Sequence, residues 1–208
     1  MASLFITFEG QEGAGKTTQI KLLYDYLLAK DADVILTREP GNDPVAEILR
    51  AVLKDPANAA MAKEGEVFLF AAARAIMVAG VIEPHLNKGG IVLCDRFVDS
   101  TTAYQGFGNK LDLGFINSIN QVASRGIMPN ITFLLQIDPS AGLARKAAYK
   151  QLDRIESRDI SYHTAVKEGY DYLAAQHPNR IVTIDAALPP KTIHGMITER
   201  VDKLLEQS

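Results

Sequence analysis

The chain has 208 residues, of which 47% are apolar and 23% charged, enough to bury one sizeable core in a single expected domain spanning 1–208. A formal net charge of -3 at pH 7 excludes a broad basic field for nucleic acid, so a phosphate ligand must be held by local groups. The lone cysteine, Cys94, excludes an intramolecular disulfide and points to a reducing, cytoplasmic location.

Met1 to Phe8 lacks a cationic start followed by a long apolar segment, and no run is read as approaching the roughly 18 apolar residues of a membrane span, so no membrane partner is expected. The first strand is expected at Leu4 to Phe8. Directly after it, Gly10-Gln11-Glu12-Gly13-Ala14-Gly15-Lys16-Thr17 fits G-x-x-x-x-G-K-[ST] and opens a helix from Thr17 to Leu28, where Ile20, Leu23, Tyr24 and Leu27 recur at helical spacing. Glycines let such a loop curl its N–H groups towards phosphate oxygens, and the helix N-terminus adds partial positive charge. Lys16 then supplies a mobile cation for the β- and γ-phosphates, and Thr17 a hydroxyl ligand for Mg²⁺.

Further strands are expected at Val34 to Thr37, Ile91 to Cys94, Ile131 to Ile137 and Arg180 to Ile184, all reading as buried parallel strands. A helix is expected from Glu64 to Ile82, with Val67, Phe70, Ala71 and Arg74 on one face. Strand and helix alternation predicts an α/β fold: a doubly wound, five-stranded parallel sheet with helices on both faces and ligands at the strands' carboxyl ends. After the third strand, Asp95-Arg96 puts a carboxylate and a guanidinium at such an end. Arg96 suits the bridging of two phosphoryl groups, while Asp95 either holds Mg²⁺ through water or orients the arginine. Asn109-Lys110-Leu111-Asp112 matches a guanine-reading pattern, but it follows a loop-like stretch instead of an apolar strand. The charge-rich stretch Arg145 to Arg158 reads either as a flap or as a solvated helix face. His85, His163, His177 and His194 show no metal-ligand spacing.

The run Phe8-Glu9-Gly10-Gln11-Glu12-Gly13-Ala14-Gly15-Lys16-Thr17-Thr18 resembles the phosphate loop of the thymidylate kinase family. Thr37-Arg38-Glu39-Pro40-Gly41 is similar to that family's T-R-E-P-G, Phe70-Ala71-Ala72-Ala73-Arg74 to its F-x-x-x-R helix, and Asp95 to Gln105 to its D-R-[YFH]-x-x-S-x-x-A-[YF]-Q. Leu152-Asp153-Arg154-Ile155-Glu156 is similar to its lid, here placed at about 143–158.

The resemblance implies a P-loop NTPase fold of the nucleoside monophosphate kinase type, Mg²⁺, the substrates ATP and dTMP, and a homodimer. It implies that Gly10 to Thr18 bind ATP and that Phe70 is a platform for thymine, with Arg74 donating to its O4 edge. Arg38 takes the acceptor phosphate, Tyr104 crowds the sugar 2′ position, and Ser100, Thr101 and Gln105 complete the acceptor site. Glu12 is placed on the acceptor 3′-hydroxyl or on a neighbouring arginine, and Glu9 on Mg²⁺, on the acceptor sugar or as a cap of the loop. The phosphate loop has no arginine, and relatives of that kind carry catalytic arginines in the lid. Arg145 and Arg154 are the candidates here, although Lys146, Tyr149 and Lys150 stand where such lids are richer in arginine. The remaining alternatives are a kinase for another nucleotide or deoxynucleoside, and a nucleotide switch that binds a protein.

Overall fold

The computed structural model describes residues 3–149 and 151–206. All five expected strands form, as β1 (Leu4–Gly10), β2 (Val34–Arg38), β3 (Ile91–Asp95), β4 (Ile131–Gln136) and β5 (Ile181–Asp185), in a parallel sheet of order β2-β3-β1-β4-β5. Central β1 carries apolar side chains on both faces because helices cover both. Leu4, Ile6 and Phe8 share one core with α1 (Lys16–Leu28) and the last helix, Pro190–Glu206, through Leu23, Leu27, Ile193 and Ile197. Phe5 faces the other way, onto Met77, Val78, Ile82 and Phe97.

That second face is covered by α3 (Lys63–Met77), which follows α2 (Pro44–Lys54), and by α8 (Ile160–Gln176), whose Val166, Tyr170 and Leu173 pack with Leu134 and Ile181. The chain therefore leaves β1 towards one face and β3 and β4 towards the other. Their carboxyl ends open the crevice where a doubly wound sheet binds ligands.

The expected helix from Glu64 to Ile82 is α3 followed by a π-helical turn, Val78–Ile82, and a short α4 (Glu83–Leu86). This continuous run, Lys63–Leu86, has 24 residues and a mean hydropathy of 1.8, so by length and composition it passes for a membrane span, contrary to the expectation that no run approaches one. Its buried side chains are spent inside the protein: Met77, Val78 and Ile82 pack under the sheet, while Glu66 and Arg74 are taken up by polar contacts with neighbouring elements.

After β3 come α5 (Val98–Thr101), a π-helical stretch Thr102–Gly108, and α6 (Leu113–Ala123). A buried brace holds α5 beneath the sheet: Arg180 donates to both oxygens of Asp99 at 2.6 and 2.8 Å, and Asp99 also accepts from Thr132 Oγ1. The guanine-like motif is absorbed locally, with Asn109 donating to buried Glu66 and Asp112 capping α6 at Phe115 N–H. After β4, Asp138 caps α7 (Pro139–Ala147). The last helix, α9 (Pro190–Glu206), follows β5.

Candidate active site

The loop after β1 has φ values of 127° at Gly10 and 70° at Gly13, a region open to glycine and costly for other residues. A Cβ at Gly10 would lie 2.1 Å from the Leu135 carbonyl oxygen, and one at Gly13 2.1 Å from that of Gly142 on α7. The loop is thus wedged between β4 and the start of the lid region. Lys16 curls back over it, donating from Nζ to the carbonyls of Gly10 (2.8 Å) and Gln11 (2.7 Å). Burial, then the Arg96 cation, bring its pKa down to about 8. Thr17 Oγ1 donates to Asp95 Oδ2 at 3.3 Å, so hydroxyl and carboxylate meet at the loop mouth.

Arg96 takes φ 74°, left-handed for a non-glycine residue, which costs of order 1–3 kcal/mol. Its N–H donates to the Phe8 carbonyl at 3.0 Å, and the turn sends the side chain back across the loop. Nη2 donates to Glu12 Oε1 (2.8 Å) and Tyr104 Oη (3.1 Å), and Nη1 to Ser100 Oγ (3.1 Å) and Tyr170 Oη (3.2 Å). Burial would raise Glu12, but Arg96 and Lys16 outweigh it and hold its carboxyl down at about 2. Of the two partners the sequence offered Glu12, the structure supplies the arginine. Glu9 accepts from Phe97 N–H (2.7 Å), Ser100 Oγ (2.5 Å) and Tyr170 Oη (2.8 Å). Burial and the Asp99 carboxylate push it up to about 7 against the pull of Arg96.

At the far end Arg74 is buried, donating from Nε and Nη2 to Glu39, from Nη2 to Thr101 Oγ1 (2.8 Å), and from Nη1 to Asn120 Oδ1 (2.6 Å). Phe70, one turn earlier on α3, is half-buried beside Tyr104 and Ile155. Gln105 donates to Glu66 at 2.9 Å. Arg38 is exposed and pairs with Glu47 at 2.6 Å.

One cleft of about 790 Å³ joins these groups. Its wall includes Glu12 to Thr18, Arg38, Phe70, Arg74, Asp95 and Arg96, with Ser100, Thr101, Tyr104, Gln105 and Arg145. Glu9, Gly10 and Gln11 lie behind it; the Gln11 side chain donates to the His163 carbonyl at 2.7 Å. Arg154 is not brought to the cleft. It is buried, with Nε on the Leu53 carbonyl (2.7 Å) and Nη2 2.7 Å from Glu66 Oε2, an ion pair without hydrogen-bond alignment. Arg145 lines the cleft from an exposed position and donates to the Ala186 carbonyl at 3.3 Å, while Lys146 pairs with Glu156. Lys150 lies outside the described residues. Sequence reasoning missed Arg50 and Lys54, both on the cleft wall from α2. A basic residue on an amphipathic helix carries no signal of which cleft it borders. It also missed Tyr170, which reads from sequence as a core aromatic.

A family model described as thymidylate kinase matches residues 8–197. A thymidylate kinase of Prosthecochloris aestuarii is 44% identical over 207 residues, covering 95% of this chain and 92% of the relative. The chain belongs to the thymidylate kinase family. A thymidylate kinase of an Exiguobacterium species is likewise 44% identical, covering 100% of this chain and 98% of the relative. The crystal structure of thymidylate kinase from Ehrlichia chaffeensis superimposes with a TM-score of 0.78 at 31% identity, covering 97% and 99% of the two chains. Members of the thymidylate kinase family are nucleoside monophosphate kinases, and the family reaction passes a phosphoryl group from ATP to dTMP, giving dTDP.

Proposed function

We propose a division of that reaction among named residues, carried by one observation: a single cleft runs from the Lys16 loop, past Arg96, to Phe70 and Arg74. The acceptor phosphate is already ionised near neutral pH, so no general base is required, and catalysis rests on alignment and charge neutralisation. Of the Gly10 to Thr18 loop, the residues from Glu12 to Thr18 line the cleft and their N–H groups surround the ATP phosphates, while Gly10 and Gln11 shape the loop from behind. Lys16 exchanges its two loop carbonyls for β- and γ-oxygens, and Arg96 exchanges Glu12 for the transferring group. Arg145 is the lid arginine already at the cleft, beside Lys146; Arg154, fixed to Glu66 and Leu53, acts at a distance by holding the lid segment.

Mg²⁺ fits the oxygen-only pair at the loop mouth, the Thr17 hydroxyl and the Asp95 carboxylate 3.3 Å apart. Hard oxygen donors on an open mouth suit an ion that keeps several waters, and among the described residues there is no denser acidic or histidine cluster. When bound, the ion neutralises charge on the donor phosphates.

At the acceptor end, Phe70 offers a ring face for the base. Arg74 has one Nη1 hydrogen beyond those given to Glu39, Thr101 and Asn120, and it serves the O4 edge. Thr101 and Gln105 border the same end, Arg38 leaves Glu47 for the acceptor phosphate, Glu9 caps the Arg96 turn, and the Tyr104 ring excludes a 2′-hydroxyl. A coupled ADP-release assay with Mg-ATP across dTMP, dUMP, dCMP, dGMP, AMP and thymidine is expected to give dTMP the highest kcat/KM. Parity among these acceptors would overturn the acceptor assignment, and nucleotide-dependent protein association without phosphorylation of any acceptor would favour the switch.

A homodimer is part of the same reading, and a cytoplasmic setting accords with the single, buried Cys94 thiol. On α2, Val45, Ile48 and Val52 recur at helical spacing yet are exposed, and exposed Phe68 meets Phe115 edge to face at 5.9 Å on the neighbouring α3–α6 surface. Exposed apolar side chains on neighbouring helices are suited to self-association. Ile48→Asp is expected to shift the sedimentation profile from dimer to monomer; a wild-type protein that sediments as a monomer would refute the assignment.

A further inference from the structure

We propose that Tyr170 is a positioning residue for phosphoryl transfer, anchoring the Nη1 side of Arg96 so that the Nη2 side is free to exchange Glu12 for phosphate. This rests on the role given to Arg96 above.

The Arg96 guanidinium is held asymmetrically. Nη2 meets the Glu12 carboxylate directly at 2.8 Å, in the wall of the cleft. Among the described residues Nη1 meets no carboxylate. It donates to two hydroxyls, Ser100 Oγ at 3.1 Å and Tyr170 Oη at 3.2 Å, and each of these donates onward to Glu9, at 2.5 and 2.8 Å. The two hydroxyls stand 3.0 Å apart. Glu9 therefore holds the arginine through a pair of neutral bridges from behind the cleft wall, while Glu12 holds it from within. Glu12, Tyr104 and Ser100 border the cleft whereas Glu9 and Tyr170 do not, and an incoming phosphoryl oxygen, itself anionic, competes with the anionic partner it can reach, which is Glu12. The bridged side stays in place and keeps the plane of the guanidinium fixed during the exchange, a preorganisation that a single ion pair would not provide.

Tyr170 reaches this position from a distant element. It lies on α8, in the chain after the lid segment, and its hydroxyl spans from α8 to β1 and to the turn after β3. The approach depends on the preceding residue: a Cβ on Gly169 would stand 2.9 Å from Ala103 Cα and 3.0 Å from Phe107 Cβ. Gly169 thus lets α8 sit against the π-helical stretch Thr102–Gly108 closely enough for the phenol to meet Glu9. The Tyr170 ring packs edge to face on Tyr104 at 6.2 Å, and Tyr104 itself donates to Glu12 at 2.7 Å. Both sides of the arginine clamp are in contact through two tyrosines. Burial pushes the Tyr170 hydroxyl well above its ordinary pKa, so it remains a neutral donor throughout the working range.

The test is Tyr170→Phe, which keeps the ring and deletes the bridge. It is expected to lower kcat by on the order of 10²-fold, the loss typical of a displaced catalytic group, with KM for ATP and dTMP within about threefold. A kcat unchanged from wild type, or a loss expressed only in KM, overturns the proposal. Should the variant fail to fold, Ser100→Ala removes the other bridge without touching α8, and the same split between kcat and KM is expected; an unchanged kcat there overturns it equally. Arg96→Lys separates this inference from the reading beneath it. If Arg96→Lys keeps wild-type kcat, the role of Arg96 falls and the anchor with it; if it loses activity while Tyr170→Phe does not, only the anchor falls. In the Arg96→Lys background Tyr170→Phe is expected to cost less than threefold more, because the group it positions is already lost. Full additivity of the two losses would overturn the anchor.

Discussion

Lys16→Ala is expected to lower kcat by about 10³-fold, the scale of removing a preorganised charge from a developing phosphoryl transition state, with the fold intact. The ammonium is buried, and in the ligand-free protein its partners are the carbonyls of Gly10 and Gln11, which offer partial charge only. Burial, then the neighbouring Arg96 cation, bring its pKa down to about 8. A cation depressed in the folded state binds fewer protons than in the unfolded chain, so its charged form costs stability in full below pH 8, and the cost fades as pH rises towards the unfolded value. Alanine removes that cost near neutral pH. The melting temperature without nucleotide should accordingly hold or rise while turnover in the ADP-release assay collapses, a pairing that general damage to the loop would not produce. Retention of full activity would sink the phosphate-loop mechanism.

The strands were legible as short apolar runs, which β1, β3 and β4 must supply because both their faces are covered; the edge strands β2 and β5 are less buried than expected, with Leu36 and Thr183 exposed. The loop was legible for a related reason: backbone at positive φ, wedged against Leu135 and Gly142, restricts Gly10 and Gly13 to one residue type. Asp95 and Arg96 followed from their place at a strand end. What stayed hidden are the partners that arrive from other elements. Arg74 was visible as an arginine on an apolar face, but Glu39 from the β2 turn and Asn120 from α6 are joined to it only by the fold.

The surroundings of Arg154 were hidden for the same reason. Nothing in Leu152 to Glu156 states that the last turn of α2 leaves the Leu53 carbonyl, an orphan acceptor of a helix end, facing that guanidinium. An arginine able to satisfy a carbonyl and a buried carboxylate looks, in sequence, like one able to meet a phosphate. The π-helical turns at Val78–Ile82 and Thr102–Gly108 are equally silent, since their apolar positions fit ordinary helical spacing over so short a run.

Arg74→Met is expected to destabilise the protein by about 3–5 kcal/mol, the cost of stranding one member of a buried ion pair. At the size of this chain that is on the order of 10 °C in melting temperature. Burial already pushes the Glu39 carboxyl above its ordinary pKa even with Arg74 attached through Nε and Nη2. Without the arginine the native state would take up a proton there, and a raised acid contributes stability that is lost as pH rises through its folded pKa. The single variant should thus be less impaired at pH 5 than at pH 8, relative to wild type at each pH. Adding Glu39→Gln removes the stranded charge and is expected to recover most of the stability in urea denaturation, whereas KM for dTMP stays high in both variants because the donor to the base edge is gone. A double variant as unstable as the single one would show that Arg74 stabilises through packing and not through Glu39. Recovery of dTMP binding in the double variant would instead remove Arg74 from the acceptor site and leave it a bracket between β2, α5 and α6.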